Sequence, residues 1–534
     1  MILPVVKKQI PSDGFCAVPK KITYSFVGES AKFGGKALAD FICETAYVKE
    51  NAFVAFFLDN SLEARDEIYR VTVMTDQIKV GFRDARGAVN GAATVALLLR
   101  KKKIPCCEII DYPDFGYRSF LLDFARGVPT KEEIFSTIRS MALAKYNRVH
   151  LHLIDAYGPC YQSDALPEYR FEDKGEPCSK ELLREIANLC EKFAIEIIPE
   201  IEIPAHAKAI TRAHPEFRCT AKDAHGWAIC PGNDDVWDFY DKMVAEIAEI
   251  FPESEYLHIG TDELEFGDLG KEYHCYWDEC PRCAALRYRE GLADLRAEFY
   301  YVVGKMFEIV KAHGKKMMMW NDQIDISKDV PLSREILIHF WRIAAPGRGP
   351  VDGCTMEKFI EAGFRVVNSF YRYLYTDTNH YISSEKMKTW TPYRTPLETD
   401  VVSDQILGGE PCAWMFGEYE KYGFLGYVIP PVIAVAGDKM WDKTDRKHTK
   451  EYREALSEFL FGDGSFTCIF DAVGDLIPPR KMTLFVDPKA EMPSKTQVED
   501  CLAKLKSVTD QNCLITAEKY IGLFEKILEQ IENQ

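Results

Sequence analysis

The chain has 534 residues and a mass of 61.0 kDa, more than one hydrophobic core usually serves, so two or three domains are expected. With 66 basic against 83 acidic residues, a net charge of -17 and a pI near 5.3, it lacks the basic surface that nucleic acid or an anionic membrane rewards. A small neutral or cationic ligand suits it better, and no apolar run approaches transmembrane length.

Met1-Ile-Leu-Pro-Val-Val-Lys-Lys8 has no basic start leading into a sustained apolar stretch, so no secretory signal is visible and a cytoplasmic location is expected. Residues 1–112 read as a small α+β domain. Tyr69–Met74 and Gln77–Gly81 are strand-like around an Asp-containing turn, and the Gly/Ala-rich Gly87–Leu99 is helical in character. Pro105 and Asp111-Tyr-Pro-Asp-Phe115 mark a linker. From Tyr117 short apolar runs alternate with longer amphipathic segments, the signature of repeated βα units. The strand candidates are Arg118–Phe124, Arg148–Ile154, Ile195–Ile201, Tyr256–Gly260, Lys316–Trp320, Ile336–Trp341, Arg365–Ser369 and Ile406–Trp414. Eight strands close a barrel. Helical spacing falls over Thr130–Lys145, which opens with a capping-box pattern, and over Ser179–Lys192, Asp234–Phe251 and Glu290–Ala312. The fold class expected is α/β: a (β/α)8 TIM barrel over 113–441, preceded by the α+β domain and followed over 442–534 by a helical region with helix-like stretches at Glu451–Leu460 and Thr496–Ile531.

Seventeen cysteines at irregular spacing in a long chain suggest reduced thiols rather than a disulfide framework. Cys280-Pro-Arg-Cys283, with Cys275 nearby, offers one zinc-ligand pair, but no second matching pair is visible and no metal is expected.

Polar and aromatic residues collect where the strand candidates end, the face on which barrels keep their chemistry. The first end supplies Asp123 and Arg126, the second His150, His152 and Asp155, the third Glu200, Glu202 and His206, and the fourth the adjacent carboxylates Asp262 and Glu263. Later ends add Trp320, Trp341, Tyr375, Asp377, Trp390, Glu410, Trp414 and Glu418. Neighbouring carboxylates do not ionise with equal ease, so one tends to stay an acid while the other is an anion, a division of labour suited to glycoside cleavage. Several indole rings beside carboxylates and an arginine describe a sugar site: flat rings stack on pyranose C–H faces while charged groups bind hydroxyls.

Five segments carry a resemblance. Arg118-Ser-Phe-Leu-Leu-Asp-Phe-Ala-Arg-Gly127, Tyr146-Asn-Arg-Val-His-Leu-His-Leu-Ile-Asp155, Ile198-Pro-Glu-Ile-Glu-Ile-Pro-Ala-His206, His258-Ile-Gly-Thr-Asp-Glu263 and Gly408-Gly-Glu-Pro-Cys-Ala-Trp414 resemble, in order, signature segments of the family 20 glycoside hydrolases, the β-N-acetylhexosaminidases. The likeness spans roughly residues 50–440 and includes the domain that usually precedes their barrel. It implies an exo-acting, retaining enzyme that removes terminal GlcNAc or GalNAc from an oligosaccharide or glycoconjugate, without cofactor. In that family the sugar's own 2-acetamido carbonyl is the nucleophile. The resemblance makes Asp262 the group that orients the acetamide and balances the oxazolinium charge, and Glu263 the acid that protonates the leaving oxygen and then activates water. It makes Arg126 a hydroxyl anchor, Asp155 and His206 a pair tuning Glu263, and Trp320, Trp390, Trp414 and Trp341 the walls. Tyr375 donates to the acetamido carbonyl, and Asp377 and Glu418 bind ring hydroxyls. Glu410 reads as structural.

The sequence departs from the family pattern in several places. Thr261 stands where the family usually has Gly, Ala205 likewise, and Glu202 replaces an Asp. Asp155-Ala-Tyr-Gly-Pro-Cys160 replaces an acidic, Gln and Trp-Arg sequence, and Glu418 lies farther from its Trp than usual. Two other readings are open: a metal-dependent amidohydrolase built on His150 and His152, which share a strand face, and a non-catalytic sugar-binding barrel.

Overall fold

Alternating burial builds the first unit of the computed structural model, which describes all residues except 157, 168–177, 221, 224, 265–274, 328, 344–353, 377–386, 388–389, 415–428, 445–448, 470–492 and 534. In Tyr69–Val73 every second side chain is buried, the period-two pattern of a sheet. Seven strands, β1 (Lys8–Ala17), β2 (Ile22–Val27), β3 (Thr45–Tyr47), β4 (Val54–Leu58), β5 (Tyr69–Val73), β6 (Ile78–Phe82) and β7 (Lys103–Asp111), join in the order β1-β7-β5-β6-β4-β2-β3. The sheet is larger than the two strands legible in sequence, because β1 contains Pro11, Asp13 and Gly14, which break the pattern, and β3 is three residues long. Helices Glu29–Phe41 and Ala85–Leu99 lie between this sheet and barrel helices Lys131–Leu143 and Lys180–Lys192. Ala85–Leu99 is buried from Gly87 through Leu98, and its small residues permit this: a Cβ on Gly91 would sit 2.5 Å from Val80 Cγ1. Buried polar links close the seam to the barrel, with Lys145 Nζ donating to Asp111 Oδ2 at 2.7 Å and Asn147 Nδ2 to Glu67 Oε1 at 2.9 Å.

The barrel is a parallel sheet. Its first stave is β8 (Tyr117–Arg118) continued by β9 (Leu121–Asp123), and β10 (Arg148–His152) follows, with a two-stranded ribbon of β11 (Ile154–Asp155) and β12 (Gly158–Pro159) at its end. Then come β13 (Glu196–Glu200), β14 (Tyr256–His258), β15 (Lys316–Trp320), β16 (Leu337–Phe340), β17 (Arg365–Asn368), and a last stave split into β18 (Ile406–Gly409) and β19 (Cys412–Ala413). Because β18 pairs with β8 and β19 with β9, the sheet closes on itself as eight staves. Ser119 N–H to Gly409 O at 3.3 Å and Leu121 N–H to Pro411 O at 2.9 Å carry the ladder across both breaks. Gly408 makes the closure possible, since a Cβ there would fall 1.7 Å from Tyr117 O.

Local signals explain most helix bounds. Thr130 and Glu133 form the capping box that starts Lys131–Leu143, and Ser179 caps Lys180–Lys192. The expected Glu290–Ala312 helix is instead two, Pro281–Glu290 and Leu295–Ala312: Gly291 at φ 66° ends the first and the Asp294 side chain caps the second. Thr496–Ile531 likewise resolves into Lys495–Leu505 and Leu514–Asn533, which pack on each other, and Leu514–Asn533 also meets Lys450–Phe461. Among the described residues no helix is long and apolar enough to cross a membrane.

Candidate active site

Residues two apart on a strand face the same way, so β10 and the β13 segment each send two polar side chains into the barrel, one above the other. The lower layer is sealed. Glu200 meets His258 Nδ1 at 2.8 Å, His150 Nε2 at 3.2 Å and the Trp320 indole N–H at 2.7 Å, and Glu410 meets His150 Nδ1 at 2.7 Å. The next layer joins His152 to Asp123 at 2.9 Å and to Glu202 at 3.2 Å. Burial, reinforced by the charge of Asp262, pushes the Glu202 carboxyl well above its ordinary value.

Above them lies the rim. After β14 the backbone turns through Gly260, Thr261 and Glu263 at φ 66°, 86° and 55°, and His206 also has positive φ, 54°. Left-handed conformations at Thr261 and Glu263 are strained, and such strain collects at functional sites. Gly260 is obligatory here, since a Cβ would lie 1.8 Å from Glu202 Oε2. The turn delivers both carboxylates to one imidazole: His206 Nε2 is 3.4 Å from Asp262 Oδ2 and 3.6 Å from Glu263 Oε2. Asp155 holds the other side of the ring, Oδ2 to Nδ1 at 3.0 Å, and accepts from Arg126 Nη2 at 2.5 Å, while Arg126 Nη1 donates to Asp123 at 2.9 Å. Burial opposes a charge on His206, but Asp262 and Asp155 outweigh it and hold the imidazole's pKa well above its ordinary value. Burial, then Asp322 and Glu263, raise Asp262 despite the neighbouring His206. Asp262 Oδ1 is buried without a hydrogen-bond partner among the described residues.

An aromatic wall adjoins these acids. Trp320, Tyr375 and Trp414 pack with Leu121 and Cys412, and half-buried Trp341 stacks on Tyr375 at 5.7 Å and 2°. Trp414 ties wall to acids, its ring 5.1 Å from His152 and 5.3 Å from the Arg126 guanidinium. Trp390 does not join this group: it is wholly buried in the main core, and a Cβ on Gly409 would meet its ring at 2.8 Å. Asp377 and Glu418 lie outside the described residues.

The family model "Glycosyl hydrolase family 20, catalytic domain" matches residues 115–444, and "Glycosyl hydrolase family 20, domain 2" matches residues 1–112. The chain belongs to glycoside hydrolase family 20. It is therefore a glycoside hydrolase on a TIM barrel. Among curated relatives, a "Beta-hexosaminidase" of Porphyromonas gingivalis is 26% identical over 519 residues, covering 85% of this chain and 62% of its own length. "Beta-hexosaminidase subunit A1" of Dictyostelium discoideum is 26% identical over 422 residues, covering 76% of this chain and 73% of its own. In fold, the β-N-acetylhexosaminidase of Bacteroides fragilis superposes with a TM-score of 0.73 at 23% identity, covering 86% of this chain and 95% of that one.

Three residues of this family 20 site escaped the sequence reading. Asp322 accepts from the Glu263 backbone N–H at 3.1 Å, from Arg342 Nη2 at 2.7 Å and from the Trp341 indole at 3.1 Å, linking the loop after β14 to the aromatic wall. Asp322 and Arg342 lie two residues beyond β15 and β16, so the strand-end criterion could have found them. Trp227 donates to the Glu263 carbonyl at 3.0 Å and lies 4.3 Å from the His206 ring. It comes from the middle of a loop and has no sequence signal.

Two sets of side chains bear on metal binding. His150 and His152, the basis of the amidohydrolase reading, meet their carboxylates at 2.7 and 2.9 Å. These contacts have hydrogen-bond lengths, and the second nitrogens of the same rings face Glu200 and Glu202 at 3.2 Å, so each imidazole sits between two carboxylates. The cysteines require a correction. Cys280 and Cys283 do have a second pair, Cys219 and Cys230, and all four buried sulfurs lie within 4.8 Å of one another; Cys275 is not among them. The second pair is widely spaced in sequence, so the short-knuckle pattern could not reveal it.

Proposed function

We propose that this protein is an exo-acting β-N-acetylhexosaminidase that removes a terminal β-linked GlcNAc or GalNAc from an oligosaccharide or glycoconjugate with retention of configuration. The observation that carries the reading is the convergence of Asp262 and Glu263 on His206 Nε2, at 3.4 and 3.6 Å, beside an aromatic wall. Asp262 Oδ1, buried and without a hydrogen-bond partner among the described residues, is the acceptor for the substrate's acetamido N–H, and that hydrogen bond aims the amide carbonyl at the anomeric carbon. The carbonyl oxygen forms a bond to C1 as the glycosidic C–O bond breaks, and Glu263 gives its proton to the departing oxygen. Water, losing a proton to the same carboxylate, then opens the oxazolinium ring from the face the aglycone left, so two inversions give retention.

The surroundings assist each step. Asp155 and the His206 imidazolium form a fixed relay against both carboxylates. Trp320, Trp414 and Tyr375 exclude water around the acetamido group, and desolvation strengthens every charge interaction there. Asp322 holds the Glu263 backbone against the side that Trp227 leaves open. Arg126, gripped by Asp123 and Asp155, anchors the ring hydroxyls, a role shared with Asp377 and Glu418.

The test is release of aglycone from chromogenic N-acetyl-β-D-glucosaminide and galactosaminide, with proton NMR of the first-formed anomer. Formation of the β-anomer and loss of turnover in Asp262→Asn support the reading; an α-anomer or an unchanged rate in Asp262→Asn overturns it. A cytoplasmic location is part of the same proposal, supported by the irregular spacing of the seventeen cysteines, which form no disulfide framework among them. Cell fractionation checks it, and activity confined to the culture medium overturns it.

A further inference from the structure

The cysteine quartet joins the two loops that carry the rim. Cys219 follows the turn Pro215–Phe217 and Cys230 precedes the helix Asp235–Ile250, both in the connection after β13 that also holds His206 and Trp227. Cys280 and Cys283 open the helix Pro281–Glu290, in the connection after β14 that holds Asp262 and Glu263. The sulfurs of Cys219 and Cys283 are 3.8 Å apart, and Cys230 is 3.6 Å from both Cys280 and Cys283. A zinc–thiolate bond of about 2.3 Å gives a tetrahedron whose edge is about 3.8 Å. A disulfide requires about 2.05 Å, and all four are free thiols. A four-iron cluster interposes its own irons and sulfides, and needs a wider cradle than one with every sulfur within 4.8 Å of the rest.

A single pair of touching thiols also shows such separations, so no pair decides the matter. Four sulfurs from two distant segments, all buried and all mutually adjacent, do. The backbones are shaped for it. Pro281 starts its helix at the first turn, where a missing N–H costs nothing, and places Cys280 and Cys283 on one side of the helix start. Gly232 lets the opposing Cys230-Pro-Gly232 turn press onto that start, since a Cβ would fall 2.4 Å from the Arg282 carbonyl carbon. Arg282, between the two cysteines, donates to the carbonyls of Glu216 and Arg218, so its cation lies over the same junction.

We infer that Cys219, Cys230, Cys280 and Cys283 bind one structural zinc ion, with all four coordination positions filled by thiolate. Loading releases the four thiol protons. The ion then fastens the β13 loop to the segment after β14: the Trp277 indole donates to Ile229 O at 2.8 Å, next to Cys230, and the same loop carries the Trp227 indole that supports Glu263. Only this last consequence rests on the catalytic reading, because metal content is measured without substrate.

The experiment is metal analysis and native mass spectrometry of the full chain purified without chelator, with thiol alkylation before and after denaturation in chelator. The expected result is about one zinc per chain, four cysteines protected until the metal is stripped, and a cobalt-substituted form with the absorption of a tetrahedral thiolate site. Cys230→Ser and Cys283→Ser lose the metal and several degrees of Tm, whereas Cys275→Ser, altering a buried cysteine outside the quartet, keeps the zinc. Metal-free protein after expression in zinc-supplemented medium with an unchanged Tm, bound iron in place of zinc, or two disulfides in the quartet would each overturn the assignment. The wild-type measurements decide even where a serine variant fails to fold.

Discussion

Below and above the His152 layer the barrel holds two contrasting sets of histidines and carboxylates, the sealed layer of His150, Glu200, His258, His339 and Glu410 and the rim of His206, Asp155, Asp262 and Glu263. In the sealed layer every one of these side chains is fully buried. Burial favours the neutral forms and holds His258 and His339 below their ordinary value, yet His150 is raised to about 9 and Glu410 lowered to about 2, because the His150 imidazolium lies between Glu410 and Glu200. At the rim the balance is broken. His206 serves two carboxylates with one Nε2, Asp262 is raised, and its Oδ1 has no partner among the described residues. In the sealed layer Glu200 Oε2, which also lacks a hydrogen bond, still has the His150 ring at 3.2 Å, whereas Asp262 meets His206 through Oδ2 and leaves Oδ1 for the proposed substrate amide.

That contrast is sharpest in paired variants. Glu263→Gln should lower kcat on unactivated glycosides by about 10²–10⁴-fold, the usual worth of a general acid, with Tm unchanged. In the sealed layer Glu410→Gln should do the reverse, costing about 3–5 kcal/mol of stability in denaturant unfolding because it removes the nearer of the two carboxylates that hold a buried imidazolium. Equal effects of both variants on both readouts would abolish the distinction. Asp155→Asn lies between: losing a hydrogen bond to a charged group, worth about 1.5–3 kcal/mol, should cut kcat/KM by about 10–100-fold. The same variant should move the alkaline limb of the pH profile to lower pH, because His206 loses a partner that holds its proton.

Stability against pH tests the sealed layer. His150 has a raised pKa, so its contribution is complete below its ordinary 6.5 and is lost as pH rises from there through about 9. Glu410 is depressed, so its contribution is complete above its ordinary 4.5 and is lost as pH falls toward about 2. His258 and His339 are depressed, so their contribution is complete above 6.5 and is lost as pH falls below it. Tm should therefore be highest near the ordinary histidine value, and a steady rise of Tm from pH 7 to 9 would contradict the pairing of His150. The smallest effect is expected at Trp227→Phe, which keeps the ring against His206 but removes the donor to Glu263 O, worth about 0.5–1.5 kcal/mol and a few-fold in kcat.

Much of this was legible in the chain itself. Apolar runs at barrel spacing, the Thr130 capping box and five ordered motifs locate the staves, the helices between them and the candidate acid pair, because each depends on a local pattern of side chains. Even Asp322 and Arg342 obey the strand-end logic that singles out Trp320 and Trp341. Where sequence reading stopped short, the cause is physical. The Glu290 helix bound shifted because Gly291 and Asp294 act on backbone geometry that periodicity does not register. Trp390 shares its residue type with the wall tryptophans, but packing against Gly409 draws it into the core. Sequence by itself determined the family, the order of the staves and the residues brought to their ends. Only the tertiary structure decided which carboxylates are mutually neutralised and which keep an acceptor open, where Trp227 meets Glu263, and that four cysteines from two loops share one point, since each follows from distances between segments that no local pattern encodes.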